Sequence, residues 1–138
     1  MSGEQSDSRA RPHAFFASLK RPASSNHWLI APQGFPGKPD ESAPEYPVPV
    51  ARLQSAFEEV VGALQNVRVK SRDGALIHYI ARTAIFRFKD DIRVQFLSLG
   101  SVASSLAIYS ASRIGFTDLG ANRRRLRQWL DLVGDGLA

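Results

Sequence analysis

The chain of 138 residues contains no cysteine, which excludes disulfide bonds, thiolate zinc sites and a cysteine nucleophile. Its three histidines, His13, His27 and His78, are far apart and lack the spacing of metal ligands. No apolar run approaches the roughly 18 residues that span a bilayer, and the polar N-terminus does not resemble a signal peptide. We therefore expect no metal, no cofactor, no transmembrane segment and a cytoplasmic location.

The common signatures of enzymes that bind nucleotides or hydrolyse esters are missing as well. No G-x-S-x-G elbow, P-loop or G-x-G-x-x-G follows a predicted strand, which argues against the usual hydrolases, NTPases and dinucleotide-binding proteins. What remains is an ordinary globular composition, with 43% hydrophobic and 22% charged residues, in a chain long enough for one domain. The formal charge of +5 is a modest excess that favours anionic partners.

The N-terminal region lacks the patterns of regular structure. Residues 1–25 are rich in Ser, Arg, Gln and Pro and have no hydrophobic period, so we predict a disordered or loosely attached tail before a single domain at 26–138. Within this tail an apolar patch, Phe15, Phe16 and Leu19, is either a short docking helix or a sticky segment.

A stretch that could form a short strand, His27–Ala31, is followed by a proline-rich extension and then by regular elements. Residues 32–49 carry most of the prolines and predict an extended wrap, docked on the domain rather than mobile. Helical periodicity predicts a first helix at about 51–65, and a strand pair around an Asp-Gly turn follows at 67–70 and 76–81. Two further strands are predicted at about 92–97 and 106–112, and a second helix at about 119–133. These elements predict an α+β fold: a four-stranded antiparallel sheet with two amphipathic helices packed on one face, preceded by the proline-rich N-terminal extension.

The last helix has a core face that can be read from its periodicity. Its apolar residues fall in one arc: Leu119, Leu126, Trp129, Leu130, Val133 and Leu137. Asn122 lies inside this arc, where a buried amide needs hydrogen-bond partners, and Asp118 precedes the helix, where a carboxylate accepts bonds from its first N–H groups. The arginines at 123, 124, 125 and 127 spread around the circumference, which argues against nucleic-acid binding.

Three stretches of the sequence carry a family resemblance: Ile85–Asp91, Ile108–Gly115 and Thr117–Arg125. The last two contain the pattern S-x-S-R-x-G-x-[ST]-D-x-G-x-N-x-x-R, matched at Ser110, Ser112, Arg113, Gly115, Thr117, Asp118, Gly120, Asn122 and Arg125. With these motifs the chain resembles the bacterial and plastid family known as domain of unknown function 1499, over about residues 25–133. The stretch 26–35 is similar to the N-terminal part of its alphaproteobacterial branch. The resemblance implies membership and brings no activity with it.

Two interpretations of the joint between the last strand and the last helix stay open. In the binding interpretation, free N–H groups at the helix start and nearby arginines hold a small anion or an anionic headgroup. In the structural interpretation, Arg113 pairs with Asp118 or Asp90, and Asn122 bonds the backbone of the turn. The candidate binding residues are Asp90, Ser112, Arg113, Asp118, Asn122, Arg123 and Arg125.

We predict a small soluble binding or interaction module rather than an enzyme, with a small anion or anionic headgroup as its ligand at the joint. The alternative is a hydrolase-like enzyme that uses Asp90, Ser112, Arg113 and Asn122, although no base lies near Ser112 in sequence. A third role is self-association into a homo-oligomer through an exposed face or edge of the sheet.

Overall fold

A mixed sheet of six strands lies at the centre of the structure, a computed structural model that describes residues 11–83, 87–115 and 117–138. The strands are β1 (His27–Ala31), β2 (Glu41–Ser42), β3 (Val67–Asp73), β4 (Leu76–Arg82), β5 (Lys89–Ser98) and β6 (Ser104–Ser112). The helices are α1 (Ala14–Ala17), α2 (Val50–Gly62) and α3 (Ala121–Leu137). Across the sheet the strand order is β2-β1-β6-β5-β4-β3.

The predicted α+β class is confirmed, but the predicted numbers of strands and helices are wrong. The four predicted strands form the antiparallel run from β3 to β6. β1 extends that run by pairing antiparallel with β6, and β2 pairs parallel with β1, so the sheet is mixed. The possible short strand at His27–Ala31 is β1, although the four-stranded sheet left it out. β2 has two residues in a proline-rich stretch, too few to show a period.

The proline-rich extension is docked on the domain, as the sequence favoured. The Tyr46 N–H donates to the carbonyl of Ser104 at 2.7 Å. The hydroxyls of Ser104 and Ser105 donate to the carbonyls of Val48 and Pro44, each at 2.8 Å. Prolines have no N–H to donate, so serine side chains on β6 supply hydrogen bonds that hold the extension against the sheet.

Both long helices cover one face of the sheet. α2 buries Leu53 and Phe57, and the Phe57 ring packs edge-to-face on Trp129 of α3 with centroids 6.1 Å apart. The predicted core face of α3 is confirmed at positions 126, 129, 130 and 133. Leu119 was predicted to share that face, but it is 82% exposed, because α3 begins at Ala121 and Leu119 belongs to the turn before it.

The N-terminal segment covers part of the opposite face. Phe16 of α1 is fully buried there. The side chain of Gln95 on β5 fixes the preceding residues, because its Nε2 donates to the Arg11 carbonyl at 2.9 Å and its Oε1 accepts from the His13 N–H at 2.8 Å. The apolar patch of the N-terminal segment is therefore a docking helix.

Residues 11–25 are thus packed on the domain, where the sequence suggested a loose attachment. Phe16 is buried in a second apolar layer. The free energy of removing its ring from water holds the segment on the domain in spite of the polar residues around it. Residues 1–10 lie outside the described residues, and the division into a tail at 1–25 and a domain at 26–138 stays a prediction.

Candidate functional site

Asn122 is the centre of a buried hydrogen-bond network at the joint between β6 and α3. It is fully buried in the first turn of α3. Its Nδ2 donates to Ser112 Oγ at 2.9 Å, to the Asn26 carbonyl at 3.0 Å and to the carboxylate of Asp118. Its Oδ1 accepts a hydrogen bond from the Ser110 hydroxyl. These bonds replace those that water makes to an exposed amide, and they hold the strand, the turn and the helix together.

A buried ion pair lies beside Asn122. Arg125 donates from Nη2 to Asp90 Oδ2 at 2.7 Å and from Nη1 to Asn122 Oδ1 at 3.0 Å. Asp90 is 3% exposed, and it is the register partner of Ser112 across β5 and β6. The buried Asp90 carboxylate therefore pairs with Arg125, and not with Arg113 as the structural interpretation expected.

Asp118 lies in the turn before α3 and accepts hydrogen bonds from the backbone at the start of that helix. Its carboxylate accepts from the N–H groups of Gly120 at 2.8 Å and Asn122 at 2.9 Å. Burial disfavours the ionised form, but the hydrogen bonds from Asn122 and Gly120 outweigh burial and lower the pKa of Asp118 below its usual value. A carboxylate of the chain itself therefore lies where the sequence placed an external anion.

Arg113 lies outside this network. Its Nε and Nη2 donate to the two oxygens of Asp91 at 2.8 and 3.0 Å, and Asp91 Oδ1 also lies 2.7 Å from His78 Nε2. The expected pairing of Arg113 with Asp90 or Asp118 is wrong, because neighbouring strand residues point to opposite faces and Asp90 faces α3. The partner of Arg113 is on the other face of the sheet.

Arg113, Asp91 and His78 form a second cluster, and its contacts set the pKa values of Asp91 and His78. Burial alone raises the pKa of Asp91, but hydrogen bonds from Arg113 and His78 outweigh burial and lower it. Burial lowers the pKa of His78 in spite of the bond to Asp91, so the imidazole is mostly neutral at pH 7.

Arg123 is also directed away from the joint. Its guanidinium carbon lies 5.3 Å from the centroid of the Trp28 ring, in a cation–π contact. The structure therefore brings five of the seven candidate residues into one cluster: Asp90, Ser112, Asp118, Asn122 and Arg125. The two residues outside the cluster, Arg113 and Arg123, are cations that the binding interpretation required.

Two members of the network were not candidate binding residues. Ser110 lies in the motif and on the same strand face as Ser112, so the sequence carried a signal for it. Asn26 precedes Asn122 by 96 positions, and its own Nδ2 donates to the Gly115 carbonyl at 2.6 Å. No local pattern links two residues so far apart, and only the pairing of β1 with β6 brings them together.

A pocket of about 260 Å³, here called the joint pocket, lies beside this network. Its lining residues are Thr83, Phe88, Asp90, Ser112, Ile114, Gly115, Thr117, Asp118 and Ala121. Phe88 and Ile114 supply apolar surface and are 45% and 54% exposed. The polar lining contains two carboxylates, and none of the described residues that line the joint pocket is a cation. Ile85 and Phe86 of the first motif stretch lie outside the described residues.

Within the described part of the chain, the hydrogen bonds of Ser112 include no base of the kind that the hydrolase-like alternative requires. Ser112 Oγ accepts from the amide of Asn122, and the Ser112 N–H donates to the Asn26 carbonyl at 3.0 Å. An amide does not act as a general base. Across the same part of the chain, no group of three or more acidic or histidine side chains is placed to hold a metal ion. Nor does this part contain a helix with the length and apolar character to cross a membrane.

Comparisons with known proteins assign a family and no activity. A family model described as "Protein of unknown function (DUF1499)" matches residues 8–133. No curated protein matches the chain. Among solved structures, the crystal structure of the protein TTHA0849 from Thermus thermophilus is similar over 80% of this chain and 93% of that chain, with 13% sequence identity and a TM-score of 0.35.

Proposed function

The chain belongs to the DUF1499 family, and we propose that its role is to bind a small ligand in the joint pocket. The proposed ligand has an apolar part and a group that is positively charged or donates hydrogen bonds. A ligand of this kind replaces the small anion that the sequence favoured. The observation that carries the proposal is the lining of the joint pocket, where two carboxylates stand next to apolar side chains.

Exposed apolar side chains around the joint support a binding role. The described part of the chain has five exposed large hydrophobic residues, and three of them are Phe88 and Ile114 in the pocket lining and Leu119 in the adjoining turn. Apolar surface that stays in contact with water beside a concave pocket is typical of a binding site. A ligand that covers Phe88 and Ile114 gains the free energy of removing this surface from water.

The two carboxylates in the wall are held in fixed positions by the network behind them. Arg125 holds Asp90, and the N–H groups of Gly120 and Asn122 hold Asp118. Each carboxylate oxygen can accept more than one hydrogen bond, so these oxygens keep capacity for a donor on a ligand. Wall groups that are already ordered lose little entropy when a ligand binds, which favours binding.

Binding is better supported than catalysis at this joint. Asn122, Arg125, Ser110 and Ser112 bond to one another, and of these four only Ser112 lines the joint pocket. A catalytic serine needs a base that takes its proton, and the described contacts of Ser112 contain none. In this proposal the network positions the pocket wall.

Charge-reversed probes test the proposed ligand class. Benzylammonium and benzoate share an aromatic ring and differ in the sign of the charge. In a titration followed by amide NMR, benzylammonium should shift the resonances of Gly115 and Thr117 to saturation, whereas benzoate should not. Ile114→Ala should weaken benzylammonium binding about tenfold, because it removes three carbons of the apolar surface that the ligand would cover.

Val102→Ala is the matched control, because Val102 is 72% exposed in the loop between β5 and β6 and does not line the joint pocket. This variant should bind benzylammonium as the parent does. Saturable binding of benzoate at the same resonances, or equal losses in the two variants, would contradict the proposed ligand class.

A further inference from the structure

A second hollow of about 160 Å³ lies where β3 begins and β4 ends, and it is called the basic hollow here. Its lining residues are Gln65, Asn66, Val67, Arg68, Ile80, Arg82 and Arg87. Three of the seven are arginines and two are amides. Ile80 is 2% exposed and adds an apolar side chain to the lining.

Three separate segments bring the arginines together. Arg68 on β3 is the register partner of Ile80 on β4, and Arg82 is two residues further along β4, on the same strand face as Ile80. Arg87 lies in the connection from β4 to β5. Its N–H donates to the Thr83 carbonyl at 3.1 Å, and its φ of 58° lies in the left-handed region, where few non-glycine residues are found.

These arginines differ from the side chains of the described residues that form ion pairs. Ion pairs between the described residues engage a different set of arginines, and two histidines also contact carboxylates: Arg21, Arg72, Arg113, Arg125 and Arg127, with His13 and His78. Within the described part of the chain, no carboxylate forms an ion pair with Arg68, Arg82 or Arg87. Their positive charges are therefore not neutralised by that part of the chain.

Further cations strengthen the positive potential around the hollow. Lys89 is the register partner of Arg82 across β4 and β5. The pKa of Lys89 is lowered, above all by the charge of Arg82, with Arg113, Arg68 and Lys70 adding to the effect. The charged form of Lys89 is thus destabilised by four neighbouring cations. Positive charge concentrated in this way attracts anions.

We propose that the basic hollow binds a phosphate group, carried by a soluble phosphorylated compound or by a phospholipid headgroup. Guanidinium groups bond phosphate oxygens through paired N–H donors, and three of them around a small concave volume match a tetrahedral anion with several acceptor oxygens. A scattered basic surface is usually only solvated. Here the arginines converge on one hollow, and the amides of Gln65 and Asn66 add neutral donors. The site goes beyond the proposed function, because its residues and the charge of its ligand are different.

The test begins with inorganic phosphate and the arginine side chains themselves. In a titration at constant ionic strength, the Nε–H resonances of Arg68, Arg82 and Arg87 should shift to saturation, while that of Arg52 should not. Arg68→Gln and Arg82→Gln should each weaken phosphate binding about tenfold, since each removes charge-assisted hydrogen bonds.

Arg52→Gln is the matched control, because it removes the same charge from an exposed position at the start of α2, outside the hollow. It should bind phosphate within twofold of the parent. Cooperative thermal unfolding of each variant shows that the comparison is made on folded protein.

Vesicles distinguish the two sources of the phosphate. The full chain is sedimented with vesicles of phosphatidylglycerol and, as the reference, of phosphatidylcholine, in which the phosphate is masked by choline. Arg82-dependent sedimentation with phosphatidylglycerol alone assigns the phosphate to a lipid headgroup. Phosphate binding in the titration without such sedimentation assigns it to a soluble compound.

Absence of a saturable shift at the three arginines, together with absence of Arg82-dependent sedimentation, overturns the proposal. Equal weakening of phosphate binding by Arg52→Gln and Arg82→Gln also overturns it, because the effect then follows net charge rather than the hollow. The joint pocket is judged by benzylammonium and not by phosphate, so either proposal can fail alone.

Discussion

The joint pocket and the basic hollow lie at the same end of the sheet, and their arginines are in opposite situations. Behind the joint pocket, Arg125 is fixed between Asp90 and Asn122. At the basic hollow, Arg68 and Arg82 have no carboxylate partner in the described part of the chain. A specific sequence motif can thus mark a residue that holds the fold together, such as Arg125, while Arg68 and Arg82, which we propose as phosphate ligands, lie outside the motif.

The largest effect is expected from Asp90→Ala. This change leaves the guanidinium of Arg125 without its carboxylate in a site where the arginine side chain is only 16% exposed. Breaking a buried ion pair from one side costs about 3–5 kcal/mol, so the free energy of unfolding in denaturant should fall by that amount. Asp73→Ala is the control, because the Asp73 side chain is 80% exposed, and it should cost about 1 kcal/mol or less. Equal losses would show that Asp90 is not structural.

Asn122→Ala should have the next largest effect. The Ser110 hydroxyl and the carbonyl of Asn26 lose a partner inside the protein, and an unsatisfied buried group costs about 1–3 kcal/mol. Denaturant unfolding measures the loss. Asn66→Ala changes an exposed asparagine in the lining of the basic hollow and should stay within about 0.5 kcal/mol of the parent. A parent-like stability of Asn122→Ala would mean that the network is not what holds the joint.

The smallest effect is expected in acid. The pKa of Asp118 is lowered in the folded chain from an ordinary value of 3.8, so its ionised form stabilises the fold above that value. This stability is lost as the pH falls below 3.8 and through the folded pKa. Asp91 has a lowered pKa and adds a loss of the same sign. In Asp118→Asn the free energy of unfolding should therefore fall less steeply than in the parent below about pH 4. Identical slopes would contradict the role of Asp118 at the helix start.

The sequence predicted the parts of the fold that have a period, and it missed those defined by contacts between distant segments. The alternation of Ile92 and Val94 and the helical spacing around Trp129 were enough to predict β5 and α3. β2 and α1 are too short for a period, and each forms because of what it packs against. The burial of Phe16 depends on a sheet face that no local pattern describes.

The difference between local patterns and contacts of distant segments also explains which parts of the candidate site were predicted. Asn122 and Asp118 were predicted from the register of one helix, which is a local property. The partners of Arg113 and Arg125 depend on which strand face each carboxylate occupies, and a shift of one residue exchanged Asp90 for Asp91. The basic hollow could not be predicted in this way, because its arginines come from three segments without a common spacing.

One pair of Arg→Gln substitutions tests the central claim that Arg125 behind the joint pocket holds the fold, whereas Arg82 at the basic hollow does not. Arg125→Gln should lower the free energy of unfolding by about 3–5 kcal/mol, because Asp90 is left buried without its partner. Arg82→Gln should change it by no more than about 0.5 kcal/mol. The two values come from denaturant unfolding of both variants beside the parent. Equal losses, or a larger loss for Arg82→Gln, would contradict the account.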